Sequence, residues 1–508
     1  MGFYSNAFKA LCDNPWAEAM RCRLSIRTTV GALISANTVI ATNPVPVQRE
    51  HEWGIIQGQQ WQVEVENIDL TLMANNLGGR PCALEIGFPG ASEWALCAQG
   101  KINQASASTD LVVAIDVWDP LTGQMDAELP RDMFFDHKPW VSDIHAITRN
   151  TNSRTYDNEA SGAGVVVSAV NTDSTWTITF TDTTYFSVDR DGTSIGTNIS
   201  IGSDWSFSGG GTGIVLHHEG WSTEAGAYAV GDTFVFYTSK PRSNLSPVAL
   251  IIELLESILG LEVYNVLAGA SYASPLYDRA ATWVPAIAAH GMTTCKGYFA
   301  KGTKIVDMVQ QLLVVINGGI YQMPTGQLAL WRFVPSSGTA IDINGDTAAG
   351  DVDIIGGEIV QRMEQVYSSI AINYKHLRDG ADVSYTESPA ISPWGDDVHP
   401  LTIDLDWRVD YGSIQACVNK AISRFSNQQP QEWALETQLS GFVLDIGDPI
   451  NINEPMLGLT DQEAAVVGID RDPMGQRAKV TARTEPDTVG KIYFRIGTSK
   501  IGGANLIW

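Results

Sequence analysis

Apolar and polar residues alternate with a period of two through much of the first third of the chain. In the segment WQVEVE, Trp61, Val63 and Val65 fall on one side of an extended strand and the intervening polar residues on the other. Similar segments, bounded by Gly, Pro and Asn, recur across residues 22–145. One apolar and one polar face is typical of an antiparallel sheet that covers a core. We therefore predict an N-terminal arm of helical character followed by a first β barrel, over residues 1–150.

A second region of alternation follows a polar linker at 148–162. Residues 163–238 contain several short segments rich in Val, Thr, Trp and Phe that are separated by turn residues. We interpret 151–245 as a β-rich insertion domain.

Helical spacing begins at Pro247. The apolar residues of the first predicted helix recur every three or four positions: Leu250, Leu254, Ile258 and Leu261. A second helix is predicted over TKIVDMVQQLLVVI, with Thr303 as its N-cap and a left-handed glycine after Asn317 as its end. The hairpin that follows turns at Pro324 and Gly326. These elements predict an α/β domain over 246–345.

Strand patterns return after residue 345, interrupted by one helix in YGSIQACVNKAISRFSN. We assign 346–508 to a second β barrel with that helix inserted. The expected fold class is mainly β with a smaller α/β part: two barrels, a β-rich insertion and an α/β domain.

The net charge of the chain argues against one class of function, nucleic-acid binding. The 508 residues contain 32 Lys and Arg against 57 Asp and Glu, a formal net charge of −25. Such a chain repels phosphate backbones, so we expect no specific nucleic-acid binding. The acidity either serves solubility or lines a passage through which DNA slides without sticking.

The cysteine spacing and the distribution of apolar residues indicate the cellular compartment of the protein. The six cysteines form no CxxC pair, so we predict buried free thiols. The first twenty residues contain no signal peptide and the apolar stretch at 246–269 is interrupted by acidic residues, so we expect a cytoplasmically made protein without a membrane segment.

Candidate chemical motifs each have a simpler structural explanation. The glycines of INGGIYQMPTGQ follow a predicted helix C-terminus, where the dipole disfavours phosphate. The stretch DRDGTSIGTN lacks the acidic twelfth ligand of a calcium loop, since Ser200 occupies that position. His217 and His218 are adjacent in a predicted strand and would point to opposite faces, so they should not share a metal. Asp136 and His137 are a candidate acid–base pair, but no nucleophile motif accompanies them.

We therefore expect no catalytic residue, no cofactor, no metal and no enzymatic activity. Aromatic residues of the insertion leave a binding role open, because exposed rings stack on sugars as readily as buried rings fill a core. The candidate glycan-contact residues are Trp205, Trp221 and Tyr228.

The order of elements resembles the hub (tail-tip or baseplate hub) proteins of tailed bacteriophages, a family shared with gene-transfer agents and contractile tails. The first matching stretch, GYFAKGTKIVDMVQQLLVVINGGIYQMPTGQLALWRF, carries Gly297, Tyr298, Ile305, Val306, Leu312, Gly326, Leu328 and Leu330. The closing stretch carries Phe442, Gly447, Asp448, Gly458, Leu459, Val467, Ile469, Asp470 and Gly475.

This resemblance implies a homotrimer in the virion tail tip, made in the cytoplasm of a host bacterium. Two hub-type barrels per chain would form a pseudo-sixfold ring that adapts the tail tube and distal tail ring to a threefold tip and closes or lines the DNA channel. It also implies contacts with the distal tail protein, the tape measure protein and other tail-tip or fibre proteins. The alternatives are a carbohydrate-binding or carbohydrate-active tail protein and a hydrolase whose site the sequence does not reveal.

Overall fold

A computed structural model describes most of the chain between residues 5 and 483, and the fold is mainly β with a smaller α/β part, as the alternation predicts. The described residues are 5–12, 21–28, 32–36, 39–42, 45–48, 54–55, 60–66, 72, 76–88, 93–107, 112–118, 124–149, 154–332, 340–345, 353–361, 367–388, 400–425 and 431–483.

The chain up to residue 118 forms a helix, an antiparallel seven-stranded sheet and two short strands that pair elsewhere. Its elements are α1 (Asn6–Cys12), β1 (Arg21–Arg27), β2 (Leu33–Ala36), β3 (Val39–Thr42), β4 (Val45–Gln48), β5 (Gly54–Ile55), β6 (Trp61–Glu66), β7 (Pro81–Phe88), β8 (Glu93–Ala107) and β9 (Val112–Trp118). The strand order is β2-β1-β7-β8-β9-β6-β3. Trp61, Val63 and Val65 are buried, which confirms the predicted facing of β6.

The insertion contains two packed sheets. The strands from residue 133 to 239 are β10 (Met133–Phe135), β11 (Trp140–Val141), β12 (His145–Thr148), β13 (Val165–Ala169), β14 (Ser174–Phe180), β15 (Tyr185–Arg190), β16 (Thr193–Ser200), β17 (Trp205–Gly209), β18 (Thr212–Leu216) and β19 (Thr233–Ser239), with a 3-10 turn at His218–Gly220. The larger sheet runs β11-β19-β14-β15-β16 with β12 also on β19, and the smaller runs β13-β18-β17. Aromatic side chains fill the space between them. The insertion's sheets therefore include strands from residue 140 onward, before the predicted boundary at 151.

The rest of the chain supplies the α/β part and a second large sheet. Its elements are α2 (Pro247–Ile252), which continues as a π-helical segment (Glu253–Ile258), β20 (Tyr264–Asn265), β21 (Ala270–Ser271), a π-helical segment (Arg279–Trp283), α3 (Val284–Ala289), β22 (Cys295–Phe299), α4 (Ile305–Ile316), β23 (Gly318–Gln322), β24 (Leu328–Arg332), β25 (Ile341–Asn344), β26 (Ile354–Gln361), β27 (Ser369–His376), β28 (Asp382–Glu387), β29 (Pro400–Val409), α5 (Tyr411–Phe425), β30 (Gln431–Thr437), a 3-10 turn (Leu439–Val443), β31 (Pro449–Glu454), a 3-10 turn (Pro455–Leu457), β32 (Leu459–Asp472) and β33 (Arg477–Arg483).

The central sheet, in the order β10-β22-β29-β27-β28, differs from the predicted division. Strands β27 to β29 pair within this sheet and helix α5 packs on β27 and β28, whereas the sequence pattern assigns them to the second barrel, over 346–508. The reason is a non-local pairing: β29 joins β22, and the buried ring of Trp407 lies between Phe135 and Phe299, at centroid distances of 5.3 Å and 4.6 Å. Local alternation does not encode which distant strand a strand pairs with.

Both predicted ends of α4 need correction. Lys304 rather than Thr303 is the N-cap residue, and the Thr303 hydroxyl donates to the Ala300 carbonyl instead. The left-handed residue after the helix is Asn317 itself (φ 52°), while Gly318 already lies in β23. Asparagine tolerates this conformation better than other residues with a Cβ. The hairpin β23–β24 forms as predicted, with Gly326 at φ +76° in its turn.

The second large sheet runs β25-β31-β32-β33-β30-β26, with β4 from the N-terminal region on β32. Its apolar face and that of the first seven-stranded sheet belong to one continuous core. Helix α1 lies against β8 of the first sheet and against the 3-10 turn Leu439–Val443 of the second. Phe8 of α1 is buried and contacts Phe88 at a centroid distance of 5.6 Å.

A buried arginine joins the insertion to the α/β part. Arg242, with 2% of its side chain exposed, donates to both carboxylate oxygens of Asp173 at 2.9 Å. Its Nε lies 3.3 Å from Glu253 of the π-helical segment, and its guanidinium covers the Phe135 ring at 4.7 Å. Removing one partner of such a buried set leaves the other charges uncompensated.

We predict that Arg242→Met lowers the free energy of unfolding by about 3–5 kcal/mol, because the Asp173 and Glu253 carboxylates lose their buried counter-ion. Urea unfolding followed by circular dichroism measures the change. The matched control is Arg154→Met: its ion pair with Glu224 is more than half exposed, so we expect a loss below about 1 kcal/mol. Equal losses in the two variants would contradict a structural role for this junction.

Candidate functional site

The three candidate glycan-contact residues do not form a common surface. Trp221 and Tyr228 are 5% and 1% exposed and pack with Phe180 in the insertion core, as the core-packing explanation of these aromatics predicts. Trp205 is partly exposed and lies edge-on to Trp176. Aromatic packing between two sheets accounts for the buried pair. Glycan contact stays a prediction, and Trp205 is the ring among the three that solvent reaches.

Asp136 and His137 do not couple through their side chains. Asp136 accepts a hydrogen bond from the backbone N–H of His137 at 2.6 Å and pairs with Lys296 at 2.7 Å. The Nδ1 atom of His137 instead lies 2.8 Å from the carbonyl oxygen of Arg242. The pair therefore contributes to the insertion junction, and its geometry is not that of a general acid and base.

The DRDG stretch forms the hairpin turn between β15 and β16, as predicted. Asp191 and Gly192 both have positive φ, 49° and 79°, which is the geometry of a type I′ turn. The Asp191 carboxylate accepts from the Thr175 backbone N–H and from Arg131, each at 2.9 Å. The acidic side chain is therefore engaged in holding the turn.

The cysteines are free and buried, which confirms the prediction from their spacing: Cys12, Cys22, Cys82, Cys97, Cys295 and Cys417. Burial raises the pKa of Cys22 and Cys417 to about 12, because a thiolate is poorly solvated there. These thiols are protonated at neutral pH and serve as packing groups.

The cluster of side chains most capable of chemistry lies at the outer end of the β17–β18 hairpin. Trp205 pairs with Leu216 in that hairpin, and the next step in the same register places Asp204 opposite His217. The predicted placement of the two histidines in one strand was wrong: β18 ends at Leu216, and His218 begins the 3-10 turn. The backbone bends between them, so both rings reach the same carboxylate.

Asp204 is the centre of this cluster. Its Oδ2 lies 2.9 Å from Nδ1 of His217, and its Oδ1 lies 2.7 Å from Nδ1 of His218. The backbone N–H of His218 also donates to Oδ1, at 2.9 Å. Glu219 approaches the same place, with Oε2 3.5 Å from His218 Nδ1. We call Asp204, His217, His218 and Glu219 the His–Asp cluster.

The contacts shift two pKa values in opposite directions. Hydrogen bonds, first of all from the His218 ring, lower the pKa of Asp204 to about 2. The Asp204 carboxylate raises the pKa of His218 above its ordinary value of 6.5. The stability that the ionised Asp204 adds to the fold is present above the ordinary carboxyl pKa and is lost as pH falls through the lowered pKa of about 2. The stability that the protonated His218 adds to the fold is complete below pH 6.5 and is lost as pH rises through the raised pKa of His218.

Tyr156 holds the backbone beneath the His–Asp cluster in place. Its hydroxyl donates to the His217 carbonyl oxygen at 2.8 Å and accepts from the Gly164 N–H at 2.7 Å. A Cβ at Gly220 would lie 2.3 Å from the Tyr156 ring, so the 3-10 turn sits directly on that ring and requires glycine there. The backbone is anchored on the core while the acidic and imidazole groups face solvent.

We predict that Asp204→Asn returns the pKa of His218 toward its ordinary value, because the neutral amide no longer stabilises the imidazolium. Histidine-selective NMR titration, with a chelator present to exclude trace metal, measures this pKa. Asp182→Asn is the matched control, since Asp182 caps a turn elsewhere in the insertion through Thr184 and Tyr185. An unchanged His218 pKa in Asp204→Asn would show that the pair does not form in solution.

Comparison with known proteins gives only distant likeness. No protein-family model matches the sequence, and no curated protein matches it. In the described ranges, every helix falls short, in length or in hydropathy, of what a membrane span requires.

Three solved structures align with nearly the whole chain. The tail protein from Neisseria meningitidis MC58 is 8% identical, with a TM-score of 0.46, over 93% of this chain and 99% of that one. The 43 kDa tail protein of prophage MuSo2 from Shewanella oneidensis is 11% identical, with a TM-score of 0.42, over 93% and 99%. The prophage tail protein gp18 from Listeria monocytogenes EGD-e is 9% identical, with a TM-score of 0.42, over 92% and 96%. Identities and TM-scores this low do not identify a function, so the function is argued from the residues of this chain.

Proposed function

We propose that this chain is a structural protein of a phage tail, a homotrimeric hub at the distal end, with no enzymatic role. The observation that carries the proposal is that one chain holds two seven-stranded sheets on a single continuous core. Three copies of a unit with two similar sheets present six, which matches a sixfold tube on one side and a threefold tip on the other.

The residues that carry the resemblance to hub proteins support the proposal by their placement. Gly447 and Gly458 have positive φ, 89° and 72°, at the turns that precede β31 and β32. Phe442 is fully buried in the shared core. The positive φ values suit glycine and the buried position suits phenylalanine, which supports a structural role for these motif residues.

Exposed apolar residues on the second sheet support an assembled state. Ile355 and Ile359 of β26 are 51% and 44% exposed, and Met456 of the adjoining 3-10 turn is 95% exposed. Several exposed apolar side chains in one region are typical of protein interfaces. We assign this patch to the contact with a neighbouring copy of the chain.

The acidic charge fits a DNA passage. Three copies of a chain with net charge −25 carry three times that charge. An acidic lining repels phosphates, so DNA passes without binding. The partners of the proposed hub are the distal tail protein, the tail tube, the tape measure protein and other tail-tip or fibre proteins, and its place is the virion tail tip.

We predict that the purified chain has a mass of about three times 55.0 kDa in size-exclusion chromatography with light scattering. The double variant Ile355→Lys/Ile359→Lys should shift the mass toward the monomer, because lysines in the patch would be buried as like charges. Val230→Lys is the matched control, since Val230 is 74% exposed but lies in the insertion.

A stable monomer would contradict the trimer, and retention of the trimer in the double variant would contradict the assigned surface. A monomer that binds glycan, with binding lost in Trp205→Ala, would instead favour the carbohydrate-binding alternative.

A further inference from the structure

We propose that Asp204, His217 and Glu219 bind a divalent transition-metal cation of the Zn²⁺ class at the end of the β17–β18 hairpin. Each residue offers one ligand atom, an imidazole nitrogen or a carboxylate oxygen, and the three atoms lie within 4.8 Å of one another. This inference concerns the insertion alone and does not depend on the hub assignment.

The spacing fits a single ion. Ligand bonds of about 2.0–2.2 Å place neighbouring ligand atoms roughly 3–3.5 Å apart around Zn²⁺. His217 Nδ1 and Asp204 Oδ2 already lie at 2.9 Å. The Glu219 side chain is exposed, and one of its carboxylate oxygens lies within 4.8 Å of the other two ligand atoms.

The donor set selects the class of cation. One imidazole with two carboxylates suits Zn²⁺ and its neighbours, whereas Ca²⁺ and Mg²⁺ prefer oxygen ligands alone. Water completes the coordination, because the cluster faces solvent. If the ion takes Nδ1 of His217, it replaces the proton shared with Asp204, and that proton leaves to solvent.

His218 acts in this site as a positioning residue. Its ring and its backbone N–H both hold Asp204 Oδ1, which leaves Oδ2 directed at His217. Hydrogen bonds of this kind orient metal-ligating groups. The tyrosine anchor beneath His217 holds the backbone of the two histidines in place, so little ordering is needed when an ion binds.

The local charge also favours a cation. The Asp204 and Glu219 carboxylates both lie beside the His218 ring, at 2.7 Å and 3.5 Å from its Nδ1 atom. The chain as a whole is acidic, with a formal net charge of −25.

The site lies at the end of the smaller sheet of the insertion, where the connection from the larger sheet enters it. Asp204 lies in the connection from β16, at the edge of the larger sheet, to β17 of the smaller sheet, while His217 and Glu219 follow β18. A bound ion therefore fixes the crossover between the sheets, and the folded insertion gains stability from binding.

The test is calorimetric titration of the chelator-treated full chain with Zn²⁺, followed by thermal unfolding with and without the ion. We expect saturable binding to one site per chain, a higher Tm with Zn²⁺, and no competition from about tenfold more Ca²⁺. NMR of the His217 imidazole nitrogens should shift on addition of Zn²⁺. His217→Ala and Glu219→Gln should each weaken binding by at least about tenfold.

The matched control is His145→Ala, because His145 is an exposed histidine in β12 of the same domain. It should bind Zn²⁺ like the unaltered chain. Circular dichroism verifies that each variant is folded, and Glu219→Gln changes only an exposed side chain. No binding at millimolar Zn²⁺, binding unaffected by His217→Ala and Glu219→Gln, or an equal loss in His145→Ala would overturn the proposal.

Discussion

The shared apolar core of the two seven-stranded sheets is the constraint on which the rest of the molecule depends. The apolar face of a sheet must be shielded from water. Here each large sheet shields part of the apolar face of the other. Helix α1 fills the space between β8 and the Leu439–Val443 turn. Arg471, also within this region, is almost fully buried and donates to the carbonyl oxygens of Phe442 and Leu444, at 3.0 Å and 2.7 Å. The two large sheets, one from the N-terminal region and one mainly from residues 341–483, therefore share one core.

The insertion is attached in a different way. It has its own aromatic core, and its junction with the α/β part is polar, centred on Arg242 and its carboxylates. A separate core with an ionic junction allows the insertion to carry a binding site without disturbing the two-sheet body. The His–Asp cluster lies in that separate unit, beyond the end of a hairpin. The proposed metal site and the proposed hub role can therefore be tested independently.

Local features followed from sequence wherever the deciding contacts are local. The alternation in β6, the turns at Asp191–Gly192 and Gly326, and the helix that ends at Ile316 involve neighbours a few residues apart. The left-handed position at Asn317 was assigned one residue too late because glycine and asparagine both suit it. The sequence does contain a signal that places Asp204 opposite His217. The Gly210–Gly211 turn, with both φ values positive, fixes the β17–β18 register.

By itself, the sequence determined that the chain is mainly β, that its thiols are buried and that three of its helices begin near residues 247, 305 and 411. Periodicity, turn chemistry and cysteine spacing are properties of short segments, and they suffice for this. Only the tertiary structure decided that β29 joins β22 and that Trp221 and Tyr228 turn inward. The bend after Leu216 that brings two histidines onto one carboxylate is of the same kind. The strand pairing and the inward-facing rings depend on partners distant in sequence, and their free energy comes from burial that no local pattern contains. The bend depends on the packing of Gly220 against Tyr156, which is also distant in the sequence.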